Sequence, residues 1–360
     1  MKRILFLLLC SLFVFSIYGC TKQNEQQEPV NNTPDSVVTG KDLKIITTVF
    51  PQYDWVYQIL GDKAEYKEIS LIINSRIDLH NFQPSVSDIA KISTCDLFIY
   101  VGGESDDWVE AVLEQAINPD MVVINLIELL GERALIDEPL DDDHHDDHDD
   151  DHHDDDHHDD HDDDHDDDHD DDYHGDHHHD EDEFDEHVWL SLRNAAIFTT
   201  AIADVLSALD PELSELYREN ADNYIERLTI LDNEYKQEVS NATRDTLLFA
   251  DRFPFRYLLH DYNLNFYAAF SGCSAETEAS FQTIVFLAEK VDELGLTAVM
   301  VTESANMSIA ETIINSSASK NQQILILDSM QSSNDGDRIN GTTYLSIMES
   351  NLNVLREALS

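Results

Sequence analysis

The chain has 360 residues, enough for two domains of ordinary size that each bury a core. Its formal charge of −54 is unevenly spread: residues 141–186 hold 29 of the 75 acidic residues and no Lys or Arg, and the remainder still carries 46 acids against 21 bases. This balance excludes nucleic acid as the expected partner, because phosphate recognition needs a basic face that the chain does not offer.

Lys2 and Arg3 precede a nearly continuous apolar run over residues 4–18, followed by Gly19-Cys20. The run is shorter than the roughly 20 residues a membrane-spanning helix needs, and a small residue directly before a cysteine is the pattern of a bacterial lipoprotein signal. Residues 1–19 are expected to be removed, leaving Cys20 lipidated and residues 20–42 as a polar tether. The protein would then be exported and anchored at the outer face of the cytoplasmic membrane. A retained hydrophobic anchor is the alternative. Cys95 and Cys273 lie in different predicted lobes, so no disulfide framework is indicated.

From residue 44 onward, short apolar runs alternate with amphipathic segments. Residues 44–49, 66–73, 96–101 and 121–126 read as strands, and 51–60, 85–92 and 106–117 as helices, with His80 in a loop and Gly102-Gly103 closing the third strand. This β, α, β grammar predicts a mostly parallel sheet flanked by helices, a first lobe over residues 43–209.

That lobe is interrupted by a tract over residues 141–186. Residues 141–180 contain 14 of the 17 histidines, embedded almost wholly in aspartate. So little apolar surface cannot offset the cost of ordering the backbone, so the tract is expected to be a disordered, solvated loop. Imidazole and carboxylate together point to divalent cations. His153, His157, His161, His165 and His169 recur every four residues, a spacing that would align them on one helical face. The surrounding carboxylates should raise the histidine pKa values, making this binding weak, multiple and pH-sensitive. A charged solubilising spacer is the alternative, though it would need no histidine.

Beyond the tract, residues 191–209 form an apolar-periodic helix. Asp210-Pro211 then reads as a capping carboxylate before a proline at the first helical position. Residues 210–241 lack internal Gly or later Pro and carry apolar residues at helical spacing, predicting a long, rigid linking helix. Residues 242–360 repeat the first lobe's grammar, with strands at 246–250, 265–270, 297–301 and 323–327 and helices at 253–262, 279–294, 308–317 and 343–359. The fold class is therefore α/β, two mostly parallel lobes joined by one helix with a cleft between them. Asp251, Glu303 and Asp328 each follow a strand, where open α/β sheets bind ligands. His260, late in a helix, matches no ligand pattern. Trp189 beside His187 is expected to wall the site.

Two separated histidines, His80 and His187, in one lobe and strand-end carboxylates in the other could close one metal site across the cleft. Here the chain resembles a known family, the cluster A-I, or cluster 9, solute-binding proteins of bacterial ABC importers for zinc and manganese. The resemblance covers residues 43–358 and rests on Ile77-Asp78-Leu79-His80-Asn81-Phe82-Gln83-Pro84-Ser85 and Glu186-His187-Val188-Trp189-Leu190. It rests also on Ser274-Ala275-Glu276-Thr277-Glu278-Ala279-Ser280, Leu325-Ile326-Leu327-Asp328 and Gly341-Thr342-Thr343-Tyr344-Leu345. It implies His80, His187 and Asp328 as ligands, zinc as cargo with manganese the alternative, and a membrane permease as partner. An acidic, His-rich insertion before the second ligand is a habit of the zinc-specific members. The chain departs from the family where a third His or Glu is expected, because Ala250 stands there. Asp251, Glu303 or a bound water could fill the gap, and Asp251 could equally be the partner of Arg252.

The expected role is a monomeric, lipid-anchored receptor that captures zinc between its lobes by small lobe and loop movements and passes it to a permease. It is not expected to be an enzyme. Two rivals stand beside it. One is a surface metal buffer or adhesin binding cations mainly through the tract; the other is a zinc hydrolase, which would need an open coordination position and a placed general base.

Overall fold

Among the described residues, eight short strands, most of them runs of Ile, Leu, Val and Phe, build two four-stranded sheets in which every pairing is parallel. The computed structural model describes residues 38–74, 79–137, 183–270 and 279–360. The signal segment, Cys20, most of the tether, the Asp/His tract with its five evenly spaced histidines, and Cys273 with Ser274 to Glu278 lie outside the described residues.

The first lobe runs β1 (Lys44–Thr47), α1 (Phe50–Leu60), β2 (Glu68–Leu71), α2 (Val86–Ser93), β3 (Leu97–Tyr100), α3 (Trp108–Leu113), β4 (Val122–Asn125) and α4 (Leu126–Leu130). Its sheet order is β2-β1-β3-β4. Two helices follow, α5 (Leu192–Leu209) and α6 (Ser214–Asn241). The second lobe runs β5 (Thr246–Phe249), α7 (Arg256–Tyr262), β6 (Asn265–Ala268), α8 (Phe281–Glu293), β7 (Ala298–Thr302), α9 (Ser308–Ser316) and β8 (Gln323–Leu327). The order β6-β5-β7-β8 repeats the first sheet strand for strand. The chain ends in α10 (Asp335–Ile339) and α11 (Tyr344–Leu359).

The 28 residues of α6 span about 42 Å at 1.5 Å per residue. Tyr217, Ala221, Tyr224, Leu228, Leu231 and Tyr235 are buried on one face of it, at alternating spacings of four and three. Asn220 donates to the carbonyl of Ile59 in the first lobe at 2.9 Å, and Tyr235 donates to the carbonyl of Met348 in the second at 2.6 Å. The helix thus braces both lobes. Its start differs from the sequence expectation. Pro211–Leu213 form a 3-10 turn, and Asp210 caps nothing with its side chain. The Asp210 carboxylate instead accepts from Lys67 Nζ at 3.0 Å and Tyr217 Oη at 3.0 Å. The Lys67 side chain is fully buried, and an ammonium there needs an anion more than a helix end needs a cap.

The core does not divide between the lobes. One continuous apolar cluster runs from Leu43 to Leu359, and a smaller one around Leu287, Val299 and Ile313 covers the other face of the second sheet. Trp55 of α1 packs against Phe198 of α5 and Tyr344 of α11, with ring centres 5.6 and 5.3 Å away. Beside it the wholly buried Asp54 carboxylate accepts from the Tyr344 backbone at 3.0 Å and meets Arg338 of α10 at 3.3 Å. By length and composition α5 could cross a membrane, yet Ala195, Phe198, Ile202 and Leu206 are buried in this core.

Candidate metal site between the lobes

Leu79–Asn81 form a 3-10 turn after β2, closed by the Phe82 amide donating to the Leu79 carbonyl at 3.1 Å. Leu79 is buried and Phe82 packs on Trp108, which pins the turn and holds His80 at the edge of the cleft. His187 immediately precedes a second 3-10 turn, Val188–Leu190, whose three residues are fully buried. Trp189 walls the region as expected, its ring 5.3 Å from the His187 ring, and its indole N–H donates across the cleft to the Ser329 carbonyl at 2.9 Å.

Each imidazole is held by its Nδ1. His187 Nδ1 lies 3.1 Å from Asp185 Oδ1, which also accepts from the His187 amide at 2.8 Å. A carboxylate oxygen only accepts, so Nδ1 carries the proton. His80 Nδ1 lies 2.6 Å from Ser105 Oγ, whose own hydrogen goes to Glu186 Oε2, so Nδ1 is the donor here too. Glu186 Oε1 also accepts from the Ser105 amide at 2.7 Å. Burial pushes the Glu186 carboxyl above the usual carboxylate range, with the Ser105 hydrogen bonds acting in the opposite direction. Gly103 makes this approach possible: its φ is +82°, and a Cβ there would come within 2.5 Å of Glu186 Oε1. The consecutive acids Asp185 and Glu186 therefore orient two different histidines.

The two ring centres are 5.6 Å apart. A tetrahedral ion bound to two imidazole nitrogens at about 2.0–2.1 Å would set the centres about 5 Å apart. Holding Nδ1 with carboxylates while Nε2 serves as the ligand atom is the usual way protein metal sites fix the tautomer and aim of a histidine.

From the other lobe comes Gln331, which the sequence reading did not single out. Its side-chain amide donates to His187 Nε2 at 2.6 Å. The loop carrying it is built on Glu303. One oxygen of Glu303 accepts from the Ser329 amide at 2.8 Å, and the other accepts from the Ser332 amide and hydroxyl, both at 3.2 Å. Asp328 opens the same loop, its Oδ1 accepting from the Met330 amide at 2.8 Å while Asn351 brackets its backbone at 2.8 and 2.9 Å. Burial first, then the nearby Glu303 charge, push the Asp328 carboxyl up to about 6.

Two other positions are placed differently. Ala250 is buried in the smaller apolar cluster and pairs its amide with the Met300 carbonyl at 2.8 Å. Asp251 accepts from the Thr302 amide at 3.2 Å and from its hydroxyl, tying the end of β5 to β7 where the two strands share a single register pair, Phe249 with Met300. Among the described residues, no three His, Cys, Asp or Glu side chains stand together as a metal-holding group. The arrangement presents two aimed imidazoles from the first lobe and an amide-bearing, carboxylate-anchored loop from the second.

The chain is similar in sequence and fold to known proteins. The chain is 29% identical to the zinc-binding lipoprotein AdcA of Streptococcus pneumoniae over 99% of its own length, and it spans 61% of that relative's length. It is 26% identical to the high-affinity zinc uptake system protein ZnuA of Bacillus subtilis, over 89% of this chain and 88% of that one. The crystal structure of the Zn(II)-bound ZnuA-like domain of S. pneumoniae AdcA superposes with a TM-score of 0.64 at 26% identity, covering 89% of this chain and 99% of that domain. The model of the ZnuA family, the periplasmic component A of the zinc-uptake complex, matches residues 45–358, and the chain belongs to that family.

Proposed function

We propose that this protein is the extracytoplasmic receptor of a zinc importer, binding one zinc ion as cargo between its lobes and handing it to a membrane permease. The observation that carries the reading is the pair of imidazoles, 5.6 Å apart and each held at Nδ1 by a serine or carboxylate, beside a loop of the facing lobe. His80 and His187 supply nitrogens and Asp328 a carboxylate. Gln331 completes the set by turning its amide so that Oε1 faces the ion. Asp251 and Glu303, both engaged in hydrogen bonds to Thr302 or to the loop, support the site without ligating. Relatives named for zinc binding and zinc uptake support zinc as cargo over manganese. The Gly19-Cys20 signal pattern supports lipid anchoring at Cys20, and the protein acts as a monomer on its permease. A family of uptake-complex components supports a binding role and not catalysis.

Zinc titration of the mature full-length protein, in competition with a chromophoric chelator, tests the reading. One tight site, lost in both His80→Ala and His187→Ala, is expected. Tight binding that survives both substitutions and disappears when residues 141–180 are deleted would instead make the protein a buffer acting through the Asp/His tract.

A further inference from the structure

Arg256, at the first position of α7, reaches out of the second lobe to two carboxylates of the first. Its Nη2 lies 2.9 Å from Asp137 Oδ1 and its Nε 3.6 Å from Asp185 Oδ2. Those two aspartates sit on adjoining strands of backbone. Ile136 and Phe184 form an antiparallel bridge, the Asp137 amide donates to the Glu183 carbonyl at 2.7 Å, and the Asp185 amide donates to the Leu135 carbonyl at 2.8 Å. The neighbouring Tyr257 hydroxyl accepts from the Leu135 amide at 2.9 Å, so two consecutive residues of α7 grip the same place. Asp185 is buried at 3% exposure and its other oxygen holds His187.

We infer that Arg256 is a positioning residue for cargo binding, acting on His187 through Asp185, so that a ligand of the first lobe is aimed by a cation of the second. The inference rests on His187 being a cargo ligand. A buried carboxylate with one oxygen on the imidazole and the other facing a guanidinium has a fixed orientation. Without the cation it can rotate, and the ring it holds loses its aim. Contacts of this kind behind metal-binding histidines commonly govern affinity by 10–100-fold. Because the cation and the histidine come from different lobes, retention of cargo and apposition of the lobes at this point are thermodynamically linked, each favouring the other.

The test is a double-mutant cycle read as zinc affinity of the full mature chain by chelator competition. Arg256→Ala is expected to weaken the tight site roughly tenfold. In an Asp185→Asn background the same substitution should cost less than about twofold, because the link through which it acts is already cut. Combined with Glu186→Gln, which touches only the His80 branch, its effect should multiply in full. A purely structural arginine would show the same loss in every background. Arg256→Lys should recover most of the affinity, since the contact with Asp185 at 3.6 Å is one of charge and not a hydrogen bond, whereas Arg256→Gln should not. The lysine and glutamine pair carries the test if the alanine variant fails to fold. Affinity unchanged by Arg256→Ala or Arg256→Gln, or a loss carried undiminished into the Asp185→Asn background, would overturn the inference while leaving the receptor reading intact. A native protein with no tight site lost on His187→Ala would overturn both.

Discussion

Gln331 and His187 meet across the two lobes, the amide nitrogen of one 2.6 Å from the ring Nε2 of the other. A hydrogen bond to the very nitrogen that would hold the cargo means that the amide and the ion compete for one lone pair. Binding then requires the amide to turn, exchanging its N–H for its carbonyl oxygen. Gln331→Ala should weaken zinc binding by about 1 kcal/mol, roughly fivefold. Gln331→Glu, which substitutes an anionic oxygen, should tighten it by about tenfold and slow release to a chelator. Stopped-flow release rates would show both.

The bridge between Ile136 and Phe184 closes the ends of the Asp/His tract on each other. Excising residues 141–180 and joining the ends through a short Gly/Ser linker should therefore leave the melting temperature of the metal-free protein within about 2 °C of native, because the bridge already holds the flanking residues together. Calorimetric stoichiometry should fall to one zinc per chain, with the tight site retained. Loss of that site on excision would show that the tract belongs to it.

Asp106 offers a pH test separate from the metal. Its Oδ2 accepts from the Val101 and Gly102 amides at 2.9 and 3.0 Å, yet burial outweighs those bonds and pushes the carboxyl up to about 7. A raised folded-state pKa means that the folded protein holds a proton the unfolded chain has released, so this group's contribution to stability falls as pH rises from about 4 to about 7. Asp106→Asn keeps an acceptor for both amides and removes the charge. It should raise the melting temperature by a few degrees at pH 8, with the difference fading toward pH 5.

The ion pair of Lys67 with Asp210 is fully buried and also involves the carbonyls of Thr39 and Lys41. Lys67→Ala would leave Asp210 without its cation inside the fold and should cost about 3 kcal/mol in urea denaturation. Lys67→Met with Asp210→Asn should lose far less than the single substitution, since neither member is then a stranded charge.

Much of the architecture could be read from the chain because most strands are short apolar runs bounded by polar residues, and the long helix has one buried stripe. His80 and His187 were visible in the sequence through the motifs around them, and the fold sets their rings 5.6 Å apart. Gln331 was not. Its relevance comes from a loop that Glu303 folds against His187, a relation 144 positions long in the chain with no periodicity to betray it. Asp210 was misread because the capping pattern is local, whereas the demand made on it by the buried Lys67 comes from another part of the chain. The short α10 escaped notice for a similar reason. Its start is set by Asn334 and Asp337 capping one another, and none of its residues is buried.

The continuity of the apolar cluster from Leu43 to Leu359 also makes the core of the first lobe depend on the second. Trp55 finds one of its ring partners in Phe198 and the other in Tyr344, and Asp54 waits for the same Tyr344 amide. The first lobe therefore has no sealed core of its own until α11 is in place. A chain cut short before Tyr344 would present the Trp55 face of α1 to chaperones and proteases instead of to its own core.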